Sequence, residues 1–219
     1  MHKIVCCLLI IAVALNSTTL KEVFDRAKPR DGYDKYLELQ TGVTYTGGLF
    51  SGRYFEPFLY QLTEYNQKSI MIKGNGAILD LQGGQITIAY GTERLDIENC
   101  VIINGNIRYT GLVQDDFYYC PKGSVRQVTF YKPHDYAVRL DGTGGDILLE
   151  KNLAVNVVAT SSDMEPINGN IVSNLITGVS FAKSGYSWFG IPQITRNWSY
   201  ITGAGFNLIR HFAQLCESG

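Results

Sequence analysis

A chain of 219 residues holds one domain or one repeat array, and is long enough to bury a core without metal or disulfides. Nineteen Lys and Arg against 20 Asp and Glu leave a formal net charge of -1, and no basic run is present, so neither nucleic acid nor anionic lipid is an expected partner. With 23 Gly, 14 Tyr and only 6 Pro, the composition favours short strands and tight turns over long helices.

The chain opens with Lys3, an apolar stretch from Ile4 to Leu15 and small residues at Ala12-Val13-Ala14, so residues 1–17 read as an export signal. The stretch is shorter than the roughly 20 residues of a membrane span. The expected location is therefore secreted, cell-surface or periplasmic, with no stable membrane span once the signal is removed. Cys6 and Cys7 leave with the signal. Cys100, Cys120 and Cys216 remain, an odd number that cannot pair completely within one chain. A Cys120–Cys216 bridge stays open, and Cys100, inside an apolar strand, reads as a buried hydrophobe.

Residues 18–33 form an N-terminal cap. Thr19 followed three residues later by Glu22 is a capping box, Leu20, Val23, Phe24 and Ala27 share one helical face, and Pro29 ends the helix. So short a helix must lay its apolar stripe on another surface, such as the end of a stacked sheet.

From residue 34 the pattern changes to strands. Tyr36-Leu37-Glu38-Leu39 alternates, Gly42 turns the chain, and Val43-Thr44-Tyr45 alternates again before Gly47-Gly48. Then come Ile70-Met71-Ile72, Ile78 to Leu81, Ile86-Thr87-Ile88, Leu95-Asp96-Ile97, Val101-Ile102-Ile103 and Ile107-Arg108-Tyr109, with starts advancing by eight, eight, nine, six and six residues. Gly74-Asn75-Gly76 and Asn104-Gly105-Asn106 supply turns that tolerate left-handed backbone. Val125 to Phe130, Ala137 to Leu140, Ile147 to Leu149 and Ala154 to Val157 resume the pattern. Short strands at this spacing suit a coil of three strands per turn, each coil buried only by its neighbours. A jelly roll or other β-sandwich is the rival, but its strands run longer. Ile72, Ile88, Ile97 and Ile103 are expected to point inward.

Leu37, Leu39, Gly42, Tyr45, Gly47 and Gly48 resemble the phrase that introduces the first rung of pectin lyase-like proteins, and residues 72–83 and 95–107 look like consecutive coils of that superfamily. The resemblance spans residues 34–177. It implies an all-β chain folded as a single-stranded right-handed parallel β-helix, with residues 178–219 as an irregular C-terminal cap or truncated segment. Many members of the superfamily cleave or bind polysaccharides on outward-facing residues of adjacent rungs. The chain departs from its enzyme subfamilies: of the NTD, DD, GHG and RIK segments of polygalacturonases only Asp115-Asp116 is found, and no pectate-lyase run of calcium-binding acids can be placed.

Candidate site residues therefore come from the two interruptions and one strand. The first inserted loop, residues 50–67, is dense in aromatics, and Tyr54 and Tyr60 are candidates for stacking on sugar rings. The second, residues 110–123, carries Asp115 and Asp116, which could act as acid and base or bind a cation; most such pairs are only solvated. Arg139 and Asp141 alternate with Val138 and Leu140, so both face outward on one strand, and His134 precedes them as a proton exchanger. Arg139 and Asp141 are the substrate-binding candidates, and His134, Asp115 and Asp116 the catalytic ones. No phosphate-cradling loop, zinc-spaced set or nucleophile elbow occurs, so no dedicated cofactor is expected; calcium stays open, without a motif to support it. Two functions fit: an exported protein that binds or processes extracellular polysaccharide, as a lyase or glycoside hydrolase if it is an enzyme, or a structural or adhesive surface protein.

Overall fold

The computed structural model describes residues 18–56, 61–114, 117–132, 137–141, 143, 146–155, 173–174, 179–180, 193–195, 198–203 and 206–210. The apolar leader, Tyr60, Asp115, Asp116, His134 and Cys216 lie outside these residues.

The elements follow in chain order as β1 (Thr18–Thr19), α1 (Leu20–Arg26), β2 (Lys35–Glu38), β3 (Thr44–Thr46), β4 (Leu49–Glu56), β5 (Gln61–Asn66), β6 (Ile70–Asp80), β7 (Gln85–Ala89), β8 (Arg94–Ile103), β9 (Asn106–Thr110), β10 (Leu112–Gln114), β11 (Phe117–Tyr119), β12 (Lys122–Tyr131), β13 (Val138–Asp141), β14 (Ile147–Glu150) and β15 (Leu153–Val155). Helix α1 begins on the expected capping box: Glu22 N donates to Thr19 Oγ1 at 3.1 Å, and Thr19 N donates to Glu22 Oε2 at 3.0 Å. Its Leu20 and Phe24 are buried at the edge of the core, with Val23 and Ala27 packed partly against it.

Three strand segments recur in the same order in successive layers, and each pairs in parallel with its counterpart in the next layer. The first face stacks β2, the opening halves of β6, β8 and β12, and then β14, with Leu37, Ile72, Ile97, Val125 and Leu149 in one register column. The second stacks β3, the closing halves of the same long strands and β15, aligning Tyr45, Leu79, Ile102, Phe130 and Ala154. The third stacks β4, β7, β9 and β13, aligning Leu49, Ile86, Ile107 and Val138. All of these column residues are buried and belong to one continuous core cluster. Among the described residues the architecture is all-β and mostly parallel, with a single helix.

The corners explain where the alternation changes phase. Asn75, Asn99, Gln127 and Lys151 all have φ between 51° and 55°, at the bend from the first face to the second. Gln82, Asn104 and Lys132 take the same conformation, φ 53° to 54°, before the third. Left-handed backbone costs most residues roughly 1–2 kcal/mol and Asn less, which matches the Asn-containing turns of the sequence. One such residue inside a strand shifts the parity: Leu95 and Ile97 point inward before Asn99, and Cys100 and Ile102 after it. Ile72, Ile88 and Ile97 are fully buried as expected. Ile103 is not; it is partly exposed, and its neighbour Ile102 fills the core.

Asn152 occupies an inward position without breaking the core. Its Nδ2 donates to Val125 O at 2.8 Å, and its Oδ1 accepts from Val128 N at 3.0 Å, so it satisfies the backbone around the corner below. Cys100 is a buried free thiol, as its place in an apolar strand suggested. Parallel pairing also reaches past residue 177: Gln193–Thr195 adds to β14 and Trp198–Gly203 to β15, with Phe206–Arg210 antiparallel beside the latter.

Candidate functional site

Both inserted loops leave the layers at the same corner, between the third face and the first. The aromatic insertion is the antiparallel hairpin of β4 and β5, and the second is the antiparallel pair β10 and β11. Arg53 on one hairpin lies over the Tyr119 ring on the other, 4.9 Å from its centroid, a cation–π contact that links the two walls. Gln67, with its amide turned to suit both partners, accepts from Arg53 and donates to Glu93.

On the third face, alternation sends every second side chain outward, and register sets Phe50, Thr87, Arg108 and Arg139 side by side along the stacking direction. At one end of this row Phe50 and Tyr54 stack face to face, with centroids 4.6 Å apart and planes 5° from parallel. Tyr54 is 48% exposed, so one face of an aromatic pair is presented to solvent. The pair opens on a groove of about 310 Å³ lined also by Lys21, Phe24, Asn66 and Thr87.

At the other end, two arginines from adjacent layers share one carboxylate. Arg108 Nε donates to Asp141 Oδ2 at 2.7 Å and Arg139 Nε to Asp141 Oδ1 at 2.9 Å. Asp141 is only 2% exposed, whereas the side chains of Arg108 and Arg139 are 33% and 39% exposed. Asp141 thus shares the face of Arg139, as the alternation predicted, but lies beneath the two guanidiniums. Thr110, opposite Asp141 in the neighbouring layer, is buried, and its hydroxyl has no partner among the described residues.

The first face is charged differently. Its outer register runs Glu38, Lys73, Glu98, Arg126 and Glu150, alternating in sign from layer to layer, a pattern that favours correct stacking. Beside it lies a groove of about 490 Å³ lined by Tyr33, Arg94, Asp96, Lys122, Ser124, Arg126 and Asp146. Each cation there has its own carboxylate: Arg94 with Asp96 at 3.0 Å, Lys122 with Asp146 at 3.2 Å and Arg126 with Glu98 at 3.1 Å. Buried Asp96 also accepts from Tyr33 Oη at 2.9 Å and Ser124 Oγ at 2.5 Å. Partial burial and the negative charge of Asp96 push the Tyr33 hydroxyl up to about 12.

The structure therefore gathers Tyr54, Arg139 and Asp141 on one face. Tyr60, Asp115, Asp116 and His134 fall in segments outside the described residues. Among the described residues no group of three or more His, Cys, Asp or Glu could hold a metal ion, and no helix is long and apolar enough to cross a membrane. Arg108 was missed as a site residue from sequence, although Ile107-Arg108-Tyr109 repeats the apolar-Arg-apolar phrase of Val138-Arg139-Leu140. Matching those two phrases would have put both arginines in one row. Comparisons with protein-family models, curated proteins and solved structures found no match for this chain.

Proposed function

We propose that the layers are successive turns of a right-handed parallel β-helix of the pectin lyase-like kind, exported from the cell, whose third face binds an acidic extracellular polysaccharide. The observation that carries this reading is the single row running from the stacked Phe50–Tyr54 pair to Arg108 and Arg139. An exposed aromatic face suits the apolar side of a sugar ring, and guanidiniums suit carboxylate or sulfate groups. Two guanidiniums from adjacent layers at this end of the row suit an anionic polymer.

The reading commits to binding. Asp141 has both oxygens occupied by arginines, an arrangement that suits a structural carboxylate better than a proton acceptor. A catalytic role would fall to His134, Asp115 or Asp116 in the adjoining loops. Affinity electrophoresis through gels containing polygalacturonate, alginate or neutral dextran tests the proposal. The parent should be retarded by the acidic polymers only, and the pair Arg108→Ala and Arg139→Ala should abolish the retardation. Unchanged mobility of the parent in every gel would overturn the proposal in favour of a structural or adhesive protein. Assays for new reducing ends and unsaturated uronate absorbance on the same polymers separate binding from cleavage.

A further inference from the structure

We propose that the first-face groove of about 490 Å³ is a second binding site, for an uncharged sugar, separate from the acidic-polymer row on the third face. Its floor is one outward register column, Asp96, Ser124 and Leu148, on three successive layers. The column spans about 9.6 Å, the length of about two sugar rings. At one end the polar atoms are fixed in direction. Asp96, 2% exposed, takes two hydrogen bonds from Arg94 and also accepts from Tyr33 Oη at 2.9 Å and Ser124 Oγ at 2.5 Å. Tyr33 reaches it from the segment before β2, two layers away, where Tyr33 and Arg30 exchange both backbone hydrogen bonds. Each hydroxyl has given its one proton to Asp96, so its oxygen offers only lone pairs to a ligand. Burial, and after it the charge of Asp96, push the Tyr33 hydroxyl up to about 12, so it stays a neutral acceptor.

At the other end Leu148 is partly exposed on the outward side, an apolar surface for the C–H face of a ring. Donors come from the rim. Lys122 pairs with Asp146 at 3.2 Å between two exposed side chains, a contact that opens at little cost, and Arg126 commits Nη2 to Glu98. Three cations against three carboxylates leave the groove without surplus charge. An anion gains no net attraction there, whereas a ligand whose hydroxyls both give and accept hydrogen bonds fits both kinds of group.

The experiment follows the NMR signals of residues 94–96, 122–126 and 146–148 while the protein is titrated with cellotetraose, xylotetraose, mannotetraose and maltotetraose, and separately with tetragalacturonate. At least one neutral tetrasaccharide should move these signals to saturation, and tetragalacturonate should leave them in place. Ser124→Ala takes away one acceptor, and Leu148→Arg fills the apolar end with a cation. Each should weaken binding of that tetrasaccharide by at least about tenfold. Leu148→Arg lies at an outward position and should melt near the parent, so it decides the matter if Ser124→Ala does not fold. The third-face pair, Arg108→Ala with Arg139→Ala, should bind the neutral sugar as the parent does. Signals that none of the four neutral sugars moves overturn the proposal, as does undiminished binding by a folded variant. Displacement of the neutral sugar by tetragalacturonate, or its loss in the third-face pair, also overturns it, because both mean a single shared site. The third-face reading stands or falls separately, on retardation by the acidic polymers.

Discussion

In the first-face groove Arg94, Lys122 and Arg126 each have a carboxylate of their own, while on the third face Arg108 and Arg139 share Asp141 between them. The first arrangement is balanced, alternates in sign along the stack and links neighbouring layers through pairs such as Arg126 and Glu98. It reads as a device for holding register, which is weakly specified in a repetitive sheet without such side chains. The third face sets Arg108 and Arg139 in line with an exposed aromatic pair. Such a row is what the proposed polymer binding uses. The two faces belong to the same layers, a few residues apart, so substitutions can damage one and spare the other.

The largest effect should come from the core beneath both. Ile97→Asp places an unpaired charge in the fully buried column and should cost more than about 4 kcal/mol, abolishing folded protein. Ile103→Asp, six residues along the same strand on the outward side of the Asn99 corner, should cost about 1 kcal/mol or less and leave soluble protein with a near-parental melting temperature. Equal losses for the two would refute the parity shift at Asn99.

Next in size is an alkaline effect that also belongs to the inward side. Burial pushes the Cys100 thiol from 9.0 up to about 12. At pH values below 9.0 the folded and unfolded chains both keep the proton, and the stability is fully present. Above it only the unfolded chain releases the proton, so stability should fall by roughly 1.4 kcal/mol per pH unit until the folded thiol itself ionises. Cys100→Ala should be less stable at neutral pH yet show a shallower alkaline decline in urea melts. An unchanged slope would place the thiol in solvent.

Smaller effects distinguish corner from face. Asn99→Val puts a β-branched side chain at φ 52° and should cost about 1–2 kcal/mol, with Asn99→Gly close to neutral. Glu98→Lys would set three cations in adjacent layers of the first face and should cost about 1 kcal/mol, recovered in part by added salt. Neither change should weaken polymer binding on the third face, and a loss there at full folding would blur the distinction between the faces.

Much of this was legible in the sequence because alternation and turn residues act locally. The capping box at Thr19 and Glu22, the inward Ile72, Ile88 and Ile97, and the left-handed turn at Asn75 and Gly76 all follow from near neighbours. Ile103 was misplaced because one left-handed residue, Asn99, adds a step to the count without interrupting the apolar text. The shared carboxylate was not legible at all: Arg108 and Asp141 are 33 residues apart, and only the stacking register brings them together. The outward side of Asp141 was readable from Leu140, but its burial was not, because that depends on the arginine from the layer before.

The contrast between the faces is tested most directly by one binding measurement on two double variants. Polygalacturonate affinity would be compared for the parent, for Arg108→Ala with Arg139→Ala on the third face, and for Arg94→Ala with Arg126→Ala on the first. Each pair removes the same charge, so non-specific attraction falls equally. The account predicts that the third-face pair loses binding by at least about a hundredfold, as expected for two charge-assisted contacts, and that the first-face pair stays near the parent. Equal losses in the two, or a loss confined to the first-face pair, would contradict it.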